Sequence, residues 1–295
     1  MQTMVDETHD LAALADLARQ IRRDSIRMIA GNKSGHPGGA LGAAEIIAVL
    51  YGAVLRHDPT RPDDPDRDRF VLSNGHICAA FYSALSRTGY LEPAELATFR
   101  RIDSRLQGHP ARQDLPGLVE TSTGPLGQGV SVANGLAMAA RLDGRASRVY
   151  CLVGDGELQE GQVWEALMSA AHHGLGNVTL IVSCNGLQID GEVAHVKGLA
   201  PLADKLRSFG WRVDEIDGHD LQAVLDVLLA GARAVDPRRP RAVIARTTMG
   251  KGVPFMENLA AWHGKVPSLE QAREALAAIG ESDGYRDFPF QGAAL

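Results

Sequence analysis

The sequence predicts an α/β fold, with a mostly parallel sheet carrying helices on both faces, and three observations carry that expectation. First, from Thr121 onward short apolar runs alternate with segments of helical periodicity. Second, the run at 149–153 is continuously apolar instead of alternating, as strands buried on both faces usually are. Third, Gly154-Asp155-Gly156 ends that run, and Asn185 ends the run at 179–183. Residues 157–182 between them are long enough for one turn, one helix and a return strand, which is the length a βαβ crossover requires.

The elements follow in order. Residues 10–30 read as an amphipathic helix with Leu11, Leu14, Leu17 and Ile21 on one stripe. A glycine-rich turn at 31–39 leads into a second helix at about 40–55, and the proline- and aspartate-rich stretch 56–69 is an ordered surface connection. Phe70-Val71-Leu72 is a short strand with a helix behind it at 77–88. The glycine loop 124–129 opens a helix whose apolar face includes Val130, Leu136 and Ala140. Residues 163–173 form a helix with Trp164, Leu167, Met168 and Ala171 at helical spacing. A helix at 202–209, a strand at 212–216 and a helix from Leu221, with Asp220 as N-cap, come next. The last strand is 242–245, and one more helix at 269–279 precedes the tail. No internal repeat or low-complexity segment interrupts the series.

Bulk properties exclude several functions. A formal charge of −6 over 295 residues, with 22% charged and 45% hydrophobic, argues against nucleic-acid or membrane-surface binding, which need a basic patch. The basic residues Arg238, Arg239 and Arg241 are too few to make one. Cys78, Cys151 and Cys184 are odd in number and lack zinc spacing, so they read as reduced residues of a cytoplasmic protein. The N-terminus is polar and acidic, unlike a secretion signal, and no run of apolar residues is long enough to span a membrane.

The chemistry gathers at element ends. A carboxylate (Asp155) and a carboxamide (Asn185) on neighbouring strand ends can hold a divalent cation against a diphosphate, although a cap and a turn would use the same residue types. The loop Gly124-Pro125-Leu126-Gly127-Gln128-Gly129 lets backbone approach a ligand and aims a helix start at negative charge. Taken alone, such a loop more often serves a tight turn. Four glycine-flanked histidines, His36, His76, His109 and His263, fall in loops at element ends. Imidazoles exchange protons near neutral pH, which suits chemistry on hydroxyl and carbonyl groups.

In this order, Ser-Gly-His-Pro-Gly, Leu-Ser-Asn-Gly-His, Gly-His-Pro, Gly-Pro-Leu-Gly-Gln-Gly and Gly-Asp-Gly with its distant asparagine resemble the thiamine-diphosphate-binding domain of transketolase. The resemblance covers about residues 10–265 and implies the thiamine-diphosphate-binding fold there, with a C-terminal helix and tail at 266–295. It implies Mg²⁺ or Ca²⁺ on Asp155, Asn185 and the carbonyl of Leu187, and thiamine diphosphate against His76, Gly124, Pro125, Leu126, Gly127, Gly154, Asp155, Gly156 and Asn185. His36, His109 and His263 would line the substrate channel, and Glu160 resembles an acid that meets its counterpart across a subunit interface.

Two departures qualify the match. Cys184 stands before the asparagine where the family often has an acid or amide, so altered packing is expected there. Full-length transketolases also continue into a pyrimidine-binding and a C-terminal domain, and the chain resembles their N-terminal half. The resemblance therefore implies a subunit transferring a two-carbon ketol unit from a ketose phosphate to an aldose phosphate, inactive without a C-terminal partner subunit, in an α₂β₂ assembly. The subunit of another thiamine enzyme (a 2-oxo-acid dehydrogenase or deoxyxylulose-phosphate synthase) and a non-catalytic scaffold are the competing expectations.

Overall fold

The computed structural model describes residues 9–232 and 236–289. Five strands, β1 (Arg69–Leu72), β2 (Val149–Gly154), β3 (Val178–Cys184), β6 (Arg212–Asp217) and β7 (Arg241–Arg246), form one parallel sheet in the order β1-β2-β3-β7-β6. A separate two-residue pair, β4 (Leu187–Gln188) and β5 (Gly191–Glu192), is antiparallel.

Strand side chains alternate between two helical layers. Phe70, Leu72, Tyr150, Leu152, Ile181 and Val243 pack with α1 (Leu11–Asn32), α2 (Pro37–Gly42), α3 (Ala44–Val49), α4 (Cys78–Arg87) and α9 (Leu221–Ala232). Val71, Val149, Cys151, Val153, Leu180 and Ile244 face the other way, onto α5 (Gln128–Leu142), α6 (Gly161–His172) and α8 (Leu202–Ser208). Helices therefore cover both faces, as the continuous apolar runs implied. The short α7 (Val193–Lys197) follows β5.

Some elements depart from the sequence reading. Asp10 caps α1 through bonds from the amides of Ala12 and Ala13, and the helix runs through Gly31 to Asn32 before Lys33 turns left-handed at φ 52°. The expected helix at 40–55 begins earlier, at Pro37, where a ring-fixed φ suits a first turn. It breaks at Ala43 and closes in a π-turn over Leu50–Val54. The break lies where a Cβ on Gly42 would meet the Thr248 carbonyl at 2.8 Å, so two backbones are in contact. In α6 the buried stripe is Val163, Ala166, Leu167 and Ala170, and Met168 is 55% exposed. The expected stripe has the right period but is rotated by one residue. Asp220 does cap α9, accepting from the Ala223 amide.

The helix α10 (Leu269–Ile279) starts on a Ser268–Gln271 capping box. It packs Ala272, Ala275 and Leu276 against Ile26 and Ala30 of α1. Beyond it the chain crosses α1 again, where Asp16 accepts from the amides of Asp283 and Gly284, Arg23 pairs with Asp287, and Phe288 is buried. Among the described residues no helix is long and apolar enough to cross a membrane. All three cysteines are unpaired.

Candidate active site

The site forms where four parallel strands end, the position at which open α/β sheets collect ligands. The chain leaves β1 into Ser73-Asn74-Gly75-His76, β2 into Asp155-Gly156, β3 into Asn185, and β7 into Thr247-Thr248-Met249. Between these ends lies a cleft of about 290 Å³, whose walls include Asn74, His76, Asp155, Asn185, Met249 and His263.

Gly154 lies opposite Ser183 in the parallel register, so Asp155 and Asn185 emerge from adjacent strands. Asp155 is 3% exposed. Its Oδ1 accepts from the Gly156 amide at 3.0 Å and its Oδ2 from the Gly186 amide at 2.6 Å, and the Cys184 thiol donates to it as well. None of these partners is a cation. Burial outweighs them and raises the Asp155 carboxyl above the usual carboxylate range. Asn185 Oδ1 accepts from the Leu187 amide at 2.9 Å and starts the turn into β4. Among the described residues no group of three or more His, Cys, Asp or Glu side chains could hold a metal. An ion here would need a mixed oxygen set, for which Asp155, Asn185 and the Leu187 carbonyl are the available residues.

The four histidines come together. His36 is central, with ring centroids 5.3 Å from His76, 5.8 Å from His263 and 6.4 Å from His109, and His76 lies 4.9 Å from His263. His36 is the residue before the first turn of α2, which aims its ring into the group. Burial pushes His36 down to about 4, helped by the Arg100 charge, and pushes His76 down to about 3, helped by its histidine neighbours. His263 is lowered by burial, and His109, at the more exposed rim, by partial burial and Arg100. Neutral rings result, each with one donor and one acceptor nitrogen at pH 7. Among the described residues, His36 Nδ1, Asn74 Oδ1 and Thr123 Oγ1 find no hydrogen-bond partner although they are buried, which leaves polar atoms for a ligand to satisfy.

The glycine loop closes the cleft's edge. Gly124 has φ +138°, and a Cβ there would stand 3.1 Å from the His109 ring, so only glycine brings loop and histidine together. Gly127, at φ +83°, precedes α5. Of the expected cofactor residues, His76, Leu126, Gly154, Asp155, Gly156 and Asn185 line the cleft, as do Glu160, Leu187 and His263. Pro125 is exposed. His36 and His109 join through their contacts with the other rings.

Motif spacing missed Ser73, Glu157 and Met249. Glu157, 2% exposed, accepts from the Ser73 hydroxyl and from the amides of Gly127 (2.8 Å) and Gly154 (3.2 Å). A buried acid two places after Asp155 has no sequence mark that separates it from the exposed Glu160. Met249 follows a strand end, and that position alone could have flagged it.

Comparison with known proteins agrees with this geometry. The family described as "Transketolase, thiamine diphosphate binding domain" matches residues 14–288. One of the two subunits of the apulose-4-phosphate transketolase of Actinobacillus succinogenes is 40% identical over 264 residues, 89% of this chain and 94% of that protein. Transketolase-like protein 2 of Bos taurus is 39% identical over 268 residues, 90% of this chain, but the chain spans only 42% of its length. The crystal structure of transketolase from Campylobacter jejuni superposes with a TM-score of 0.86 at 35% identity, covering 94% of this chain and 44% of that one.

Proposed function

The chain belongs to the transketolase family, in its thiamine-diphosphate-binding domain, and from that premise we propose that it is the cofactor-binding subunit of a two-subunit transketolase. The complex transfers a two-carbon ketol unit from a ketose phosphate to an aldose phosphate. A second polypeptide with the pyrimidine-binding domain completes each site, in an α₂β₂ assembly. Near-full coverage of a relative that is itself named as one transketolase subunit supports this division of labour. The reading puts the complex in the cytoplasm, where the three unpaired cysteines stay reduced.

The observation that carries the proposal is the buried Asp155, which has no cationic partner among the described residues and shares one cleft with His76 and His263. A carboxylate so placed fits a hard divalent ion, and Asn185 and the Leu187 carbonyl fit its remaining oxygen preferences. Mg²⁺ and Ca²⁺ both suit this donor set. Thiamine diphosphate, when bound, supplies the nucleophilic carbon and the electron sink.

The chain's own residues bind and move protons. Gly124 and Gly156 keep side chains out of the cofactor's path; a Cβ on Gly156 would press on Gln188 at 2.8 Å. His76 faces the diphosphate side. His36, His109 and His263 are neutral, so each can give a proton to a sugar oxygen or take one from it without first shedding charge. Glu160, exposed at the start of α6, is available to a neighbouring subunit.

Calorimetric titration of thiamine diphosphate with and without Mg²⁺ tests the reading. The wild-type chain should bind in a metal-dependent manner, and Asp155→Ala should abolish that binding with an unchanged circular dichroism spectrum. Equal affinity in the variant would overturn the metal assignment.

A further inference from the structure

Asp155 and the histidines leave one buried acid of the cleft without a role. Glu157 lies at the meeting point of three segments: the end of β1 (Ser73), the end of β2 (Gly154) and the glycine loop (Gly127). Its Oε1 accepts from the Ser73 hydroxyl and the Gly127 amide, and its Oε2 accepts from the Gly154 amide. Ser73 Oγ in turn accepts from the Gly129 amide at 3.1 Å. Amides at the start of α5 that could have faced a ligand are therefore occupied by a protein carboxylate and the serine beside it. This is the charge that a helix N-terminus favours.

The packing is tight enough to make that arrangement specific. A Cβ on Gly129 would collide with Ser73 Oγ, and one on Gly75 would stand 2.5 Å from Thr123 Oγ1. On the outer side Gln162 donates to the Leu126 carbonyl at 2.6 Å and accepts from Gln128. Among the described residues, Glu157 alone ties the loop to both strand ends at once.

We propose that Glu157 is a positioning residue: it stands in for an anion at the start of α5 and holds the glycine loop in ligand-ready form before any cofactor arrives. The inference rests on the cofactor-binding reading above. The loop's amides at Gly127 and Gly129 are spent on fixing its shape, so its contribution to the cofactor is steric and comes from Leu126 and the cleft-facing backbone. Removing Glu157 frees the loop and raises the entropy lost when the cofactor binds.

The test uses the apo chain and the same chain titrated with thiamine diphosphate and Mg²⁺. In Glu157→Gln an amide group would face the Gly154 N–H, so the ring is broken with little change of volume. Amide exchange at Gly127 and Gly129, followed by NMR in the apo chain, should accelerate at least tenfold. The Kd for thiamine diphosphate should rise about tenfold while the apo melting temperature moves by only a few degrees. Ser73→Ala, which removes one arm, should give the same pattern at smaller size and serves if Glu157→Gln fails to fold. Unchanged exchange in the apo variants overturns the proposal, as does unchanged Kd beside a wild type that binds normally. A wild type that binds no cofactor would instead overturn the cofactor reading, and the exchange measurement would still decide the role of Glu157.

Discussion

Protonation at the histidine cluster is set by desolvation. His36 and His76 are held down to about 4 and about 3, so the folded chain refuses protons that the unfolded chain takes up from pH 6.5 downward. These rings therefore withdraw stability as the pH falls from 6.5 toward 4, and withdraw nothing above 7. In NMR titrations of ring signals, His36 and His76 should remain neutral from pH 7 to 5 while exposed His195 titrates within that range's upper part. A midpoint above 6 for either buried ring would contradict this account. Asp155 shifts in the opposite sense, upward, and a bound cation would reverse that shift.

Among the elements, α1 deviates most from a surface helix. Its stripe of Leu14, Leu17 and Ile21 is buried, but so are Gln20, Arg22, Arg23, Asp24 and Arg27. Each acid or base needs a partner, and α1 finds them on other elements: Arg22 on Glu45 of α3, Asp24 on Arg87 of α4, Arg23 on Asp287. Glu45 also accepts from His219, whose Nε2 accepts the Thr248 amide at 2.8 Å beside the cleft residue Met249. Glu45→Ala leaves the Arg22 charge buried and unpaired, and should cost about 3 kcal/mol, read from the urea midpoint with the slope unchanged. A loss below about 1 kcal/mol would mean that water or another acid takes over. None of this network was legible from periodicity, because an amphipathic pattern says which side is apolar and not what a helix's polar side meets. The same limit explains α6: the spacing of Trp164, Leu167, Met168 and Ala171 has the helical period, and only contact with the sheet decides that Met168 faces out.

For the whole molecule, the sheet order brings four strand ends to one cleft. The chain spans 94% of one relative that is named as a transketolase subunit, and 42% of another that is named transketolase-like. We expect no ketol transfer from the purified, cofactor-loaded chain with ketose phosphate donors, and turnover once a polypeptide carrying the pyrimidine-binding domain is added. A coupled assay with and without that polypeptide checks it. Turnover by the chain alone would sink the two-subunit reading. The mouth of the cleft carries exposed apolar Ile189, 69% accessible, where such a partner would close over it.

The strands, their parallel pairing and the candidate residues were legible because each is a local property. A continuous apolar run, a crossover-length spacing and a glycine-flanked histidine are written in contiguous residues, and their order along the chain carries the family likeness. Tertiary structure decided what depends on residues distant in sequence. It set the break of the 40–55 helix against Thr248, the neutrality of four clustered imidazoles and the junction of Ser73, Gly127 and Gly154 on Glu157. The physical reason is desolvation: a side chain's charge and role follow from what excludes water around it, and here those groups come from elements far apart along the chain.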